Sequence, residues 1–172
     1  MSVIYGTTPL KSNGLYGKRF TGYYNDDLSF YSTATIEDDI ITTSLDSFTG
    51  GGGDYFSWMW LGYFYVPVTG EYTFYTNSDD SSLLWIGDSA LLSPPSIDDV
   101  VVDNRGPHAS IEESGTIMLD AGTYVPIRIT WGELTGGEIL TVSFSGPGIE
   151  KTSNGLGYFF GGKYLWNVLG ER

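Results

Sequence analysis

The sequence contains no cysteine and only one histidine among its 172 residues. Without cysteine the chain has no disulfide framework and no thiolate zinc site. One histidine is too few for a histidine metal cluster. No segment approaches the roughly 18 consecutive apolar residues of a transmembrane helix. The opening MSVIYGTTPL also lacks the basic and apolar regions of a signal peptide. We therefore expect a chain that does not insert into a membrane.

Basic residues are also scarce. Lys and Arg number 8 against 21 Asp and Glu, which gives a formal net charge of −13. A phosphate backbone would be repelled by this charge, so we expect no nucleic-acid partner. An acidic surface suits solubility, cation binding or a calcium-rich saline medium.

The sequence carries few signals of catalysis. It has no GxSxG motif, and His108 is the only histidine available to a catalytic triad. A lone loop histidine is more typical of a surface residue or a hydrogen-bonding anchor. Adjacent carboxylates cannot flank a glycosidic bond as a pair of hydrolytic residues does. We predict that the chain is not an enzyme.

Strand-forming residues are abundant. The chain holds 13 Tyr, 9 Phe and 5 Trp, and its 24 Gly supply many turns. Helical periodicity is nearly absent, and short segments of alternating polarity recur instead. The length suits one domain. We predict an all-β protein, an antiparallel β-sandwich or barrel with little or no helix, formed as a single domain over residues 1–172.

Several strands can be placed on the sequence. The segment Asp54–Pro67 is almost wholly apolar and aromatic, which predicts a strand buried on both faces. A turn at Thr69-Gly70 and the alternating segment Glu71–Ser78 predict a hairpin with it. Gly14–Asp26 is expected to pair with Asp39–Phe48, and Ala90–Ser110 is expected to be a long connection. Further strands are predicted in SSLLWIGD, on both sides of Asp120-Ala121-Gly122, in ILTVSFSGPGI and in YFFGGKYLWNVL.

Carboxylate pairs are the most informative polar feature. Most of them suit solvated turns, but Asp79-Asp80 lies directly between two strongly predicted strands. Consecutive side chains can reach one cation if the peptide bond between them is cis. Calcium needs six to eight oxygen ligands, so a second loop must contribute. The segment WGELTGGEI offers Glu133 and a glycine-rich backbone. The alternative is that Asp79-Asp80 is only a turn.

Three segments in order carry a resemblance to a known family. They are VPVTGEYTFYTNSDDSSLLWIG, SGTIMLDAGTYVPIRI and WGELTGG. Together they resemble the PA14 domain over about residues 55–148, and GLYGKRFTGYYND is similar to the family's opening strand region. The resemblance implies a PA14-type β-sandwich, jelly-roll-like in form. The lectin branch of the family includes domains of bacterial adhesins and fungal flocculins.

In the lectin branch, two consecutive Asp joined by a cis peptide bind Ca²⁺. The resemblance assigns that role to Asp79 and Asp80. It places a side-chain ligand at Glu133 and backbone carbonyl ligands at Thr135 and Gly137. The flocculins have an amide where this chain has Glu133. The extra charge should tighten calcium binding and change which sugar fits.

The resemblance also implies a sugar ligand whose vicinal hydroxyls complete the calcium coordination. Asp79, Asp80 and Glu133 would accept hydrogen bonds from the sugar hydroxyls. Candidates for selecting the sugar are the Asp103–His108 loop, with Asn104 and His108, and the Gly50–Tyr55 loop. The tryptophans Trp58, Trp60, Trp85 and Trp131 are predicted to be core residues rather than sugar platforms.

The sequence thus predicts a calcium-dependent carbohydrate-binding domain that mediates adhesion to surface glycans. Its site of action would be extracellular, on a cell surface or a virion, as a module of a larger polypeptide or assembly. One alternative is a structural or assembly domain of a virion or surface protein without sugar activity. Another is an accessory module of a glycoside hydrolase.

Overall fold

The computed structural model describes residues 13–153, 157–161 and 165–166. Their regular structure is mostly strand, as the sequence predicts, and a short helix, α1, lies at Phe30–Thr33. Single 3₁₀ turns lie at Asp88–Leu91 and Ile97–Asp99. The strands are β1 (Leu15–Thr21), β2 (Ile36–Thr42), β3 (Phe56–Tyr65), β4 (Gly70–Asp79), β5 (Ser82–Ile86), β6 (Val102–Asn104), β7 (Ile111–Leu119), β8 (Tyr124–Glu133), β9 (Ile139–Gly146), β10 (Ile149–Thr152) and β11 (Phe159–Phe160).

The strands form two antiparallel sheets. The larger sheet has the order β2-β1-β3-β8-β5-β6, and β11 pairs with β3 beyond the end of β1. The smaller sheet has the order β10-β9-β4-β7. The predicted antiparallel β-sandwich is therefore confirmed, as is the predicted pairing of the two N-terminal segments as β1 and β2.

Strand β3 is buried on both faces along nearly its whole length, as its composition predicts. Its even-numbered side chains, including Trp58 and Trp60, enter the core between the two sheets. Its odd-numbered side chains, including Met59 and Leu61, enter a second core on the far side of the larger sheet, where Tyr31 of α1 packs. The four tryptophans predicted as core residues are at most 2% exposed. These are Trp58, Trp60, Trp85 and Trp131.

The predicted hairpin at Thr69-Gly70 is wrong. Strand β3 pairs with β1, β8 and β11, whereas β4 pairs with β7 and β9 in the other sheet. The connection crosses the sandwich, so Phe64 meets Phe74 and Phe144 ring to ring across the core. Both edges of β3 are occupied, by β1 and β11 on one side and by β8 on the other, so β4 joins the opposite sheet, where Phe74 packs on the inner face of β3.

Two further segments differ in detail from the sequence-based expectation. The Ala90–Ser110 connection contains β6, which pairs with β5, and both 3₁₀ turns. In the C-terminal segment Tyr158–Leu169, Phe159–Phe160 forms β11, Leu165 and Trp166 are helical, and the remaining residues lie partly outside the described ones.

Across the part of the chain that the structure describes, no helix has the length and apolar character needed to cross a membrane.

Candidate metal centre

Two chain crossings lie side by side at one end of the sandwich. The first runs from β4 to β5 through Asp79, Asp80 and Ser81, and the second runs from β8 to β9 through residues 134–138. Asp79 pairs with Ile139 in the smaller sheet, and Ser82 pairs with Trp131 in the larger one. Because both crossings join the same pair of sheets, residues distant in sequence meet there.

Three carboxylates converge at this corner. One oxygen each from Asp79, Asp80 and Glu133 lies within 4.8 Å of the others. Asp79 ends β4 and Glu133 ends β8, so both side chains are held by strands. The peptide bond between Asp79 and Asp80 is cis. No ion pair in the described part of the chain involves any of the three carboxylates.

Asp80 is held in place by two backbone amides. Its side chain is 5% exposed, Oδ1 accepts a hydrogen bond from the His108 N–H at 2.8 Å, and Oδ2 accepts one from the Leu134 N–H at 2.9 Å. These bonds join three segments, since His108 follows β6 and Leu134 follows β8. The Asp80 carboxylate is therefore fixed before any ligand arrives.

Glu133 is the residue whose environment is least satisfied. It has no exposed surface, and neither carboxylate oxygen has a hydrogen-bond partner. Burial, together with the charges of Asp80 and then Asp79, raises the pKa of Glu133 to about 8. A buried carboxylate normally finds a donor or a cation, because an unpaired buried charge is costly. Its oxygens therefore fit a bound metal ion.

Asp79 is more open than the other two carboxylates. Its side chain is half-buried, and burial, followed by the charge of Asp80, raises its pKa. The 134–138 loop passes close by, since a Cβ built on Gly137 would lie 3.6 Å from Asp79 Oδ2. Thr135 is exposed in the same loop. Gly137 thus lies beside Asp79, and Thr135 belongs to the same loop.

The donor set is chemically selective. Three carboxylates and nearby backbone carbonyls are hard oxygen ligands, the kind that calcium and magnesium prefer. No Cys exists in the chain to favour a softer ion. Two further acids add negative charge. The charge of Glu138 raises the pKa of both Asp79 and Glu133, and the charge of Asp54 raises the pKa of Glu133. This field would attract a divalent cation.

The sequence did not reveal a hydrogen-bonded cluster around Asp26, which contacts Ser81, the residue after Asp80. Ser81 donates to the Asp26 carboxylate and lies 2.7 Å from the Tyr24 hydroxyl, which must therefore be the donor. Asp26 Oδ2 also accepts from the Gly106 N–H at 3.1 Å. Asp26 belongs to the Asp26-Asp27 doublet, which the sequence presents as one more solvated turn. Its left-handed backbone, at φ 59°, is visible only in the structure.

Asn104 and His108, the two residues predicted to select the sugar, differ in how exposed they are. Asn104 is 3% exposed, and its Nδ2 donates to the Thr76 and Ile111 carbonyl oxygens at 3.1 and 2.9 Å. It therefore joins β6 to β4 and β7. His108 is half-buried beside Asp80, and its ring nitrogens lie 2.9 and 3.2 Å from the carbonyl oxygens of Ala109 and Asn104.

A sequence profile of the PA14 domain family matches residues 12–157 of this chain. No protein of curated function matches the sequence significantly. Several solved structures share the fold, at identities too low to show more than the fold.

Three of these structures illustrate the range. The A domain of Epithelial Adhesin 6 from Candida glabrata, in complex with Galβ1-3GlcNAc, has a TM-score of 0.71 and 18% identity and covers 92% of this chain and 90% of that one. A PA14 sugar-binding domain from an RTX adhesin has a TM-score of 0.67 and 13% identity, with 87% and 99% coverage. An anti-sigma factor domain-containing protein from Clostridium clariflavum has a TM-score of 0.68 and 20% identity, with 90% and 50% coverage.

Proposed function

The chain belongs to the PA14 domain family, and from this premise we propose that it is a non-enzymatic, calcium-dependent carbohydrate-binding domain. It would mediate adhesion to glycans outside the cell, on a cell or virion surface, as a module of a larger polypeptide or assembly. The observation that carries the proposal is Glu133, a fully buried carboxylate without a hydrogen-bond donor that converges with Asp79 and Asp80.

In this proposal the carboxylates of Asp79, Asp80 and Glu133 hold Ca²⁺, and the carbonyls of Thr135 and Gly137 add ligands. The all-oxygen donor set supports calcium over zinc. Asp80 keeps its two amide hydrogen bonds, which orient its oxygens. When bound, the cation would neutralise the carboxylate charges and supply an electrostatic attraction for sugar oxygens.

Two vicinal hydroxyls of a sugar would complete the coordination, and the carboxylates would accept hydrogen bonds from these hydroxyls. A cation gives the site an attraction that a neutral and well-hydrated sugar otherwise lacks. Similar adhesin structures were solved in complex with Galβ1-3GlcNAc and β-lactose. β-Galactosides are therefore the first ligands to test.

The loop residues take different roles in this proposal. Asn104 positions β6 from a buried site, since its Nδ2 is committed to backbone oxygens. His108 holds Asp80 through its backbone N–H. Its half-buried ring keeps it a candidate for contact with a sugar.

A metal-stabilised structural module is the second candidate function. Two similar structures have names that mention no sugar, the anti-sigma factor domain-containing protein and the PA14 domain of MpAFP antifreeze protein. A domain of this kind would bind calcium at the same corner without a sugar.

Calorimetric titration separates these functions. Calcium is titrated into the chelator-treated protein, and lactose, galactose, mannose and fucose are then titrated with calcium present. The test variant is Asp80→Asn, which removes the charge and keeps one oxygen for one of the two backbone N–H donors. The matched control is Asp99→Asn, an exposed member of another acidic doublet.

We expect calcium binding, followed by sugar heat that disappears with chelator and in Asp80→Asn but persists in Asp99→Asn. Calcium binding without heat from any sugar would favour the structural module. Sugar binding that survives chelator would contradict the calcium-anchored site. If the protein binds no calcium, the assignment of Asp79, Asp80 and Glu133 is wrong.

A further inference from the structure

Tyr55 is an exposed aromatic residue that precedes β3, and its neighbour Phe56 lies opposite Glu133 of the candidate metal centre. Its side chain is 57% exposed, and it is the only aromatic among the large exposed apolar side chains of the described residues. The next residue, Phe56, opens β3 and pairs with Glu133 across the sheet. Phe56 is fully buried against Trp131, so the neighbouring Tyr55 ring turns away from the core.

The backbone of Tyr55 is tied to the loop that follows Glu133. Its N–H donates to the Leu134 carbonyl at 3.1 Å, and its carbonyl accepts from the Gly22 N–H at 2.8 Å. Leu134 in turn donates its own N–H to Asp80. One residue, Leu134, therefore links the backbone of Tyr55 to the carboxylate of Asp80.

Tyr55 has a left-handed backbone, with φ at 55°. For a bulky side chain this conformation is a clear outlier that the surrounding structure must hold in place, and such outliers concentrate at functional sites. Glycine or asparagine would adopt it with less strain. A tyrosine at this position is therefore unfavourable for the fold alone, which suggests that its ring has a use.

The preceding loop is also held firmly. Arg19 donates to the carbonyls of Gly50 and Gly52 through its two Nη atoms, and its guanidinium lies 4.1 Å from the centre of the Phe56 ring. The Asp54 carboxylate accepts from the Gly136 N–H at 3.2 Å. The loop that presents Tyr55 is thus pre-organised on both sides, which lowers the entropy cost of binding a ligand there.

We propose that Tyr55 is the stacking surface for the sugar bound at this corner and that it selects pyranoses with one face of C–H bonds. This inference rests on the proposed function. An aromatic face binds apolar C–H groups favourably, whereas a ring face bearing hydroxyls would be desolvated at a cost. Galactose-type rings carry their C3–H, C4–H and C5–H bonds on one face, so they should bind more tightly than mannose-type rings.

The experiment compares two variants of Tyr55 in calcium-saturated protein. Tyr55→Gly removes the ring and relieves the left-handed backbone, so it should fold. Tyr55→Phe keeps the ring and loses only the hydroxyl. The control is Met118→Ala, which removes an exposed apolar side chain, 67% accessible, on β7. Calcium affinity, thermal midpoint and the affinities for lactose and mannose are measured for each.

We expect Tyr55→Gly to weaken lactose binding by roughly 3- to 10-fold. Its calcium affinity should match the wild type and its thermal midpoint should not fall below it. Tyr55→Phe should recover most of the lactose affinity that Tyr55→Gly loses, and the control Met118→Ala should bind lactose within about twofold of the wild type. Wild-type lactose affinity in Tyr55→Gly would overturn the stacking role while leaving the calcium-dependent lectin intact. If the wild type itself binds no sugar in calcium, both the proposed function and this inference fail.

Discussion

The protonation state of Glu133 should control how calcium binding depends on pH. Its raised pKa, about 8, means that the metal-free carboxyl is mostly protonated at neutral pH. A metal ligand must be ionised, so calcium binding must expel this proton. The pH dependence of binding can therefore test whether Glu133 is a ligand.

At pH 7 calcium binding should release about one proton, and the release should fall towards zero at pH 9, where Glu133 is already ionised. Calorimetry in two buffers of different ionisation enthalpy measures this number. The Glu133→Gln variant should release far less, because it lacks the carboxyl whose pKa is raised to about 8. Equal proton release by both proteins would remove Glu133 from the ligand set.

The same pKa sets the sign of a stability effect in chelator. The folded pKa of Glu133 exceeds its unfolded value of 4.5, so its stabilising contribution is complete below that value and is lost as pH rises to about 8. Between pH 5 and pH 8 the metal-free wild type should lose roughly 3–4 kcal/mol relative to Glu133→Gln. Urea unfolding at both pH values measures the difference.

Asn104 illustrates a limit of reading single residues. Its position in the polar DNRGPH segment makes it a natural candidate for a sugar contact. The structure buries it, because β6 pairs with β5 and places residue 104 under β4 and β7, where Nδ2 meets backbone carbonyls. A three-residue strand inside a long connection gives too short a pattern to predict that burial.

At the scale of elements, the Thr49–Asp54 loop depends on one side chain from another strand. Arg19 of β1 bonds two loop carbonyls, pairs with Glu37 at 2.7 Å and stacks on Phe56. A planar guanidinium can serve all of these contacts at once, which a lysine cannot. The loop should therefore loosen when Arg19 is removed.

We expect Arg19→Ala to destabilise the protein by roughly 1–3 kcal/mol and to speed exchange of the Gly52 amide, which bonds the Thr49 carbonyl. Denaturant unfolding and hydrogen exchange measure the two effects. The matched control is Lys151→Ala. Lys151 also forms an ion pair, with Glu112, but both partners are well exposed and the loss should stay under about 1 kcal/mol. A Gly52 amide that exchanges at the wild-type rate in Arg19→Ala would show that the Thr49–Asp54 loop is stable without Arg19.

The wrong hairpin prediction also belongs to this scale. Alternation and a Thr-Gly turn identify β3 and β4 as strands, but they do not say which sheet each strand joins. Strands distant in sequence, β1, β8 and β11, occupy both edges of β3, so the next strand pairs in the opposite sheet. At the other end of β4 the chain crosses back to β5 in the larger sheet, beside the crossing from β8 to β9. These two crossings bring Asp79 and Glu133 together.

For the whole molecule, with its net charge of −13, calcium bound at the proposed site should also stabilise the fold. A ligand that binds only the folded state, at 100 times its dissociation constant, adds about 2.7 kcal/mol of stability. For a domain of this size that should raise the thermal midpoint by roughly 5–10 °C. Scanning calorimetry with calcium and with chelator measures the shift.

Magnesium provides a specificity control for this prediction. It demands a smaller octahedral site and gives up its waters reluctantly, so at equal concentration its shift should be much smaller. The Asp80→Asn variant should respond to neither ion. A calcium shift of equal size in that variant would mean that the stabilisation comes from general screening of the acidic surface.

The sequence by itself determined the strand content, the doubly buried β3, the pairing of β1 with β2 and the acidic motif at Asp79-Asp80. These follow from composition and short-range patterns, which local chemistry controls. The tertiary structure decided which strands share a sheet, the burial of Asn104, the missing donors around Glu133 and the exposure of Tyr55. Those outcomes depend on contacts between residues far apart in the chain. Such contacts form only when the strands pair and the two sheets pack together.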